Sequence, residues 1–259
     1  MRGIAIIGGT GLTSLPGLTI SEERRVSTPF GETSAALIKG QLNEQPVLFL
    51  ARHGSGHTIL PHKVNYRANI WALKEADAYY ILAINAVGAV NPSLKPAQLV
   101  IPDQIIDYTS GREMTYFDGS VSPVVQAGGA VPVVHVDFTE PYCPLLRSHL
   151  LEAAHKSGIE LAGSGTYGVT QGPRLETAAE IRRMAQDGCD MVGMTAMPEA
   201  VLARELDCCY ASISVIANLA AGLGEGEITM TEIKKYIAQG MGEVCSLLAA
   251  VILKIQSDG

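Results

Sequence analysis

Three short runs of this chain are apolar at every position, not at every second one. Gly3 to Ile7, Pro46 to Ala51 and Tyr79 to Ile84 have this pattern, and Met191 to Gly193 and Ala211 to Ile216 look similar. A strand with one wet face alternates, whereas a strand covered on both faces has no position for a solvated side chain. The runs therefore predict a sheet with helices on both sides. The sequence between them agrees. Thr177 with Glu180 makes a capping box before Ile181, Met184 and Ala185, and Gly188 can end that helix. Thr229 with Glu232 makes another, opening a long helix with Ile233, Ile237, Val244, Leu248, Val251 and Ile255 on one stripe. Between Lys63 and Ala76 apolar residues fall on two faces: Val64, Ala68 and Trp71 on one, Tyr66, Ile70 and Leu73 on the other. A helix buried on both sides hints at packing beyond one subunit. The alternation predicts an α/β fold, with 1–259 as one domain. Tyr108 to His135, rich in Gly, Pro and polar residues, reads as long active-site loops.

Composition narrows the function. The formal net charge is -7, which argues against nucleic acid or an anionic membrane as the main partner. Charged residues are only 17% and hydrophobic ones 47%, which favours a large core and leaves room for a subunit interface. Ile4 to Ile7 is too short for a signal-peptide core. No apolar stretch approaches the roughly 20 residues that span a bilayer. The cysteines, Cys143, Cys189, Cys208, Cys209 and Cys245, are odd in number and lack a C-x-x-C. They read as small buried residues in a reducing compartment rather than as disulfides or zinc ligands. The expectation is a soluble, cytoplasmic protein.

Several motifs sit where strands end. Gly8-Gly9-Thr10-Gly11 follows the first strand, and glycines let backbone N–H groups approach an anion, with Thr10 adding a hydroxyl. A tight turn fits it equally well. The dinucleotide fingerprint fails, because its third glycine position is Ser14. Arg52-His53 follows the second run, where an Arg fork and a His donor suit phosphate oxygens, although a surface ion pair is as good a reading. His53, His57 and His62 have no acidic residue among them and make a poor zinc set. Glu176, in Gly172-Pro173-Arg174-Leu175-Glu176-Thr177, lies just before a helix and can complement its dipole or accept from a ligand. Thr195 can cap the next helix or donate to an anion there. Asn218 ends the last run as a turn residue or a ligand contact. No G-x-S-x-G elbow or Ser-His-Asp order supports acyl hydrolysis.

Together the motifs resemble the methylthioadenosine phosphorylase family. The resemblance rests on Ile6-Ile7-Gly8-Gly9-Thr10-Gly11-Leu12, Ala51-Arg52-His53-Gly54, and His57 to Pro61 with Val64-Asn65-Tyr66 and Asn69 to Lys74. Glu140 to Pro144, Gly172-Pro173-Arg174 and Thr195-Ala196-Met197-Pro198-Glu199 extend it, so that it runs from Ile4 to about Asn218. It implies a single α/β domain with a twisted mixed sheet and a homotrimer. It also implies a nucleoside and phosphate as substrates, and no metal or organic cofactor. By the same resemblance, Thr10, Arg52, His53, Asn85, Ala86 and Thr195 meet phosphate, Asn85 standing where the family often has Thr. Met194 lies under the ribose, and Met230 and Ile233 receive a 5'-methylthio group. His135 reaches the 5' end of a substrate in the neighbouring subunit.

The departure is at the base. Adenine-specific members have Thr-Asp-Tyr-Asp where this chain has Ala217-Asn218-Leu219-Ala220. Glu176 with Asn218 resembles instead the Glu and Asn pair of 6-oxopurine nucleoside phosphorylases. Hypoxanthine offers an N1–H donor with O6 and N7 acceptors. A carboxylate accepts from N1–H, and an amide donates to O6 or N7. Adenine offers a bare N1 acceptor, which the Glu176 carboxylate would face without a shared proton. The expected reaction is phosphorolysis of a 6-oxopurine methylthio nucleoside, with Glu176 and Asn218 acting on the base. Its rivals are an inosine/guanosine phosphorylase, an adenine-releasing phosphorylase, a water-using nucleosidase, an NAD oxidoreductase and a non-catalytic nucleoside-binding protein.

Overall fold

The computed structural model describes residues 2–119 and 133–258. The strands in chain order are β1 (Gly3–Gly8), β2 (Leu18–Arg24), β3 (Ser27–Thr28), β4 (Gly31–Glu32), β5 (Leu37–Leu42), β6 (Gln45–Ala51), β7 (Ala78–Ala89), β8 (Leu99–Val100), β9 (Gln104–Asp107), β10 (Leu161–Ala162), β11 (Thr166–Val169), β12 (Met191–Gly193) and β13 (Cys209–Leu219). The helices are α1 (Tyr66–Glu75), α2 (Pro144–Lys156), α3 (Ala178–Gln186), α4 (Ala196–Glu205) and α5 (Met230–Asp258).

Eleven strands form one mixed sheet along β10-β8-β13-β7-β1-β6-β5-β2, with β12, β11 and β9 branching from β7. The central strands β6, β1, β7 and β13 run parallel, so their carboxyl ends open on the same side. Both faces are covered, as the apolar runs require. Ile4 and Ile6 of β1 pack with α2 and α5 residues such as Leu150, Val244 and Leu248. Ala5 and Ile7 point the other way, into the layer built by Ile70, Leu73, Ala200 and Ala203 of α1 and α4. This is the period-2 geometry of a strand between two helical layers.

Three expectations are corrected here. Cys143 and Cys209 form a disulfide, while Cys189 and Cys208 are free and buried and Cys245 is free and half-buried. The two cysteines lie 66 residues apart in sequence, and their pairing comes from tertiary structure: the Cys143 N–H donates to the Tyr210 carbonyl at 2.8 Å, seating the start of α2 on the start of β13. The second face of α1 is covered within the chain, since Trp71 packs on Phe30 and Tyr116 with ring centroids 5.5 and 5.9 Å away. Its two-faced pattern therefore says nothing about a second subunit. Finally, α5 (Met230–Ser257 by this measure) is long enough to cross a membrane and holds an 18-residue window apolar enough to do so, with a mean hydropathy of 1.6. Scattered Glu and Lys residues hide this in the sequence. In the fold its stripe lies on the sheet, with Val244, Leu247, Leu248 and Val251 fully buried.

The capping box of Thr177 and Glu180 is present on both sides. At α5 Thr229 accepts from the Glu232 N–H at 3.2 Å, which is half of the expected arrangement.

Candidate active site

A cavity of about 310 Å³ opens at the carboxyl ends of the parallel strands, the position where open α/β sheets bind ligands. Its lining draws on every site segment proposed above except that of His135. Thr10 comes from the turn after β1, Arg52 and His53 from the end of β6, Asn85 and Ala86 from β7, and Met194 and Thr195 from the link between β12 and α4. Glu176 enters from the loop before α3, Asn218 and Ala220 from the end of β13, and Met230 and Ile233 from the start of α5. Two expected residues are not in the lining. The Leu219 side chain packs against the hydrophobic core instead. His135 is exposed, and the neighbouring 120–132 lie outside the described residues.

The glycine loop is a turn and a cavity wall at once. Its Leu12 N–H donates to the Gly9 carbonyl at 3.0 Å. A Cβ on Gly9 would stand 2.3 Å from the Ile84 carbonyl oxygen and 2.8 Å from an Arg52 nitrogen. The position is glycine because strand β7 and the arginine close over it.

Arg52 is 1% exposed and its fork is turned to a residue that received no role in the sequence reading, Glu199. Nε donates to one carboxylate oxygen at 2.7 Å and Nη2 to the other at 2.8 Å, while Nη1 donates to the Ile84 carbonyl at 3.0 Å. Tyr210 adds a hydroxyl bond to Glu199 at 2.9 Å. Burial disfavours the Arg52 charge, but the Glu199 carboxylate overrides it and raises the guanidinium pKa. Three of five N–H groups are thus committed, and two are left for a ligand. The motif ending in Glu199 was visible in the sequence. That its carboxylate runs back beneath β6 was not.

His53 was expected to donate. Its Nδ1 lies 2.8 Å from the Ile59 carbonyl, and a carbonyl only accepts, so that nitrogen carries the proton. Burial and the neighbouring Arg52 charge push the imidazole pKa down to about 4. A neutral ring with Nδ1–H leaves Nε2 as an acceptor. His57 packs on it with ring centroids 4.7 Å apart. Among the described residues no group of three or more His, Cys, Asp or Glu side chains gathers to hold a metal ion.

Thr195 does not cap α4. Its hydroxyl donates to Asn85 Oδ1 at 3.2 Å, and the Asn85 amide donates to the Ser212 hydroxyl. All three are buried, at 7%, 3% and 0% exposure. The chain from β13 through β7 fixes the Thr195 rotamer.

The base-side candidates are held more loosely. Both Glu176 and Asn218 are half-buried. The Thr170 hydroxyl donates to Glu176 at 2.6 Å, and the Asn218 amide donates to the Leu219 carbonyl at 2.7 Å. A register shift between Ile216 and Asn218 brings Asn218 opposite Gly88 of β7. Such a bulge re-aims a side chain beside a site. A Cβ on Gly88 would lie 3.3 Å from the Asn218 amide nitrogen, tighter than an ordinary contact.

Residues 3–253 match the model of the phosphorylase superfamily. The chain is 48% identical to a probable S-methyl-5'-thioinosine phosphorylase of Pseudomonas syringae pv. tomato, over 96% of this chain and 97% of that one. It is 47% identical to a 6-oxopurine nucleoside phosphorylase of Pyrococcus furiosus, over 100% of this chain and 95% of the relative. Among solved structures it resembles a methylthioadenosine phosphorylase of Schistosoma mansoni in complex with adenine, with a TM-score of 0.93 at 30% identity, covering 99% of this chain and 93% of that one.

Proposed function

The chain belongs to the phosphorylase superfamily, and from that premise we propose that it cleaves 6-oxopurine nucleosides with phosphate, S-methyl-5'-thioinosine foremost, giving hypoxanthine and 5-methylthioribose 1-phosphate. One observation carries the reading. A single cavity joins an arginine with two free N–H groups to a carboxylate and an amide, with no aspartate in the base segment. The relatives whose names specify a 6-oxopurine or methylthioinosine reaction, at 47–48% identity, support the same substrate class.

Phosphate attacks the anomeric carbon as the bond to N9 breaks, through an oxocarbenium-like ribosyl. The phosphate anion is nucleophile and counter-charge together, held by Arg52, Thr10 and Thr195. His53, neutral and bare at Nε2, accepts a hydrogen bond from the P–OH of hydrogen phosphate, and the proton stays on the phosphate. Asn218 keeps one amide N–H on the Leu219 carbonyl and turns the other to O6 or N7, where charge grows as the base leaves. Glu176 accepts from N1–H. Met230 and Ile233, with Ile228 beside them, give the 5' end an apolar wall suited to a thioether. No cofactor enters this scheme. His135 on the surface suits contact with a second subunit, consistent with a homotrimer, and light scattering of the purified chain would test that assembly.

A second reading has one observation in its favour. Met230 is 60% exposed, so a 5'-hydroxyl could remain hydrated there, as an inosine phosphorylase needs. The test is a panel of methylthioinosine, methylthioadenosine, inosine, guanosine and adenosine, each with and without phosphate, followed by base release. Cleavage without phosphate would refute phosphorolysis, and preference for methylthioadenosine would refute the Glu176–Asn218 assignment.

A further inference from the structure

Arg112 lies in the loop after β9, outside the cavity lining, and no motif drew attention to it. Its guanidinium nonetheless reaches five acceptors on the two loops that build the site. From the phosphate-side loop, Nη1 donates to the Met194 carbonyl at 2.8 Å and to the Met197 carbonyl at 2.6 Å. From the base-side loop, Nη2 donates to the Thr170 and Gln171 carbonyls at 3.1 and 3.0 Å, and Nε to Gln171 Oε1 at 3.1 Å. Arginine has five N–H groups in one plane, and here each has a partner.

The two loops need such a clip. One backbone bond already ties them, from the Thr170 N–H to the Gly193 carbonyl of β12 at 2.8 Å, and the four carbonyls that the fork meets lie beyond it. Met197 leaves the helical conformation at φ -113°, ψ 135°, so its carbonyl faces out of α4. Thr195 sits between the two carbonyls that share Nη1. Thr170 and Gln171 follow the end of β11, and the Thr170 hydroxyl in turn holds Glu176. Where the loops meet, a Cβ on Gly172 would stand 2.4 Å from the Met194 sulfur, and Gly172 has φ +62°. The contact therefore tolerates little slack.

We propose that Arg112 is a positioning residue that locks the base-reading loop to the phosphate-binding loop, so that attack at the anomeric carbon and capture of the leaving base share one fixed geometry. The proposal rests on the phosphorylase reading of the site. It draws on planarity: four carbonyls and an amide oxygen are met by a fork, which a lysine ammonium with three rotating donors does not reproduce.

The test compares Arg112→Lys and Arg112→Ala with the wild type as purified full-length chains. Each is checked for fold by circular dichroism and assayed for kcat and KM with methylthioinosine and phosphate. A misplacement of about 1 Å between reacting groups costs on the order of 100-fold, so kcat should fall by that order in both variants. Each KM should change far less, because each loop still binds its own end of the substrates. Millimolar guanidinium chloride should restore part of the Arg112→Ala activity. A folded variant with lowered thermal stability but wild-type kcat overturns the proposal, and so does a chain that folds in neither variant, since the residue is then structural. A wild-type chain that cleaves none of the nucleosides refutes the phosphorylase reading, and the proposal falls with it. Active wild type with equally active variants refutes Arg112 alone.

Discussion

Removing the Glu199 carboxylate should unfold this protein more readily than almost any other single polar substitution. Glu199 is 0% exposed and Arg52 1%. Glu199→Ala leaves a guanidinium in the interior with one carbonyl bond, to Ile84, and takes the acceptor from the Tyr210 hydroxyl. Breaking a buried pair by deleting one partner costs about 3–5 kcal/mol, because the surviving charge has no counter-ion. Urea unfolding followed by circular dichroism reads this directly. With an m-value of about 3 kcal/mol/M, the midpoint should fall by more than about 1 M. The companion variant replaces the whole cluster with apolar groups of similar size: Arg52→Met, Glu199→Leu and Tyr210→Phe. Such replacements are often neutral or stabilising, so most of the lost stability should return while phosphorolysis stays abolished. That split would assign the pair to function rather than to stability. The reasoning is refuted if Glu199→Ala unfolds within about 0.5 kcal/mol of the wild type, a change typical of surface substitutions. It is refuted equally if the apolar variant is as unstable as the single one.

Three further outcomes follow from the site and its supports. Asn218→Asp with Ala220→Asp should move preference from methylthioinosine towards methylthioadenosine, and an unchanged ratio of kcat/KM would mean the base is read elsewhere. His53 is held at about 4 against an ordinary 6.5, so the unfolded chain takes up the proton first as pH falls. Stability should be full above about 6.5 and decline by about 3 kcal/mol on the way to pH 4. His53→Phe should flatten that slope in urea titrations at stepped pH. Opening the Cys143–Cys209 bridge, which closes a 66-residue span, should cost about 4 kcal/mol by chain entropy. Cys143→Ser should show this loss, dithiothreitol should reproduce it in the wild type, and a loss below 1 kcal/mol in both would show that the reduced chain keeps the same restraint.

The parts of this molecule legible in the sequence are those where one physical requirement acts alone. The β1, β6 and β12 runs are apolar because both faces are buried, and nothing competes with that pattern. β7 extends past its apolar stretch through Asn85, which is buried and donates to the Ser212 hydroxyl of β13, while Ser212 and Ser214 lie buried within the β13 run itself, a condition invisible along the chain. β2 is exposed at nearly every position and is held to β5 by backbone pairing and by the Ser21 hydroxyl, which donates to the Lys39 carbonyl, so it offered no pattern. Thr195 looked like a helix cap because it precedes a helix. Its hydroxyl is drawn away by Asn85, 110 residues earlier. Arg112 was illegible for a deeper reason: four of its five partners are backbone carbonyls, and every residue has one. The motifs located the cavity because ligand-binding side chains must be of particular types. What supports them can be of any type that reaches.

The uneven burial of the site has an evolutionary consequence. Arg52, His53, Asn85 and Thr195 are at most 7% exposed, whereas Glu176 and Asn218 are half-buried on a loop and a strand end, and Met230 is largely exposed. Substitutions in the first group disturb the interior and are paid for in stability, and those in the second act at a margin where most changes cost less than about 0.5 kcal/mol. A lineage carrying this scaffold can thus drift at Glu176, Asn218 and Met230 by near-neutral steps, while the buried Ala220 and Ile233, at 2% and 9% exposure, and the phosphate end stay harder to change singly. Diversification of substrate under a constant reaction is what such a molecule leaves open to selection.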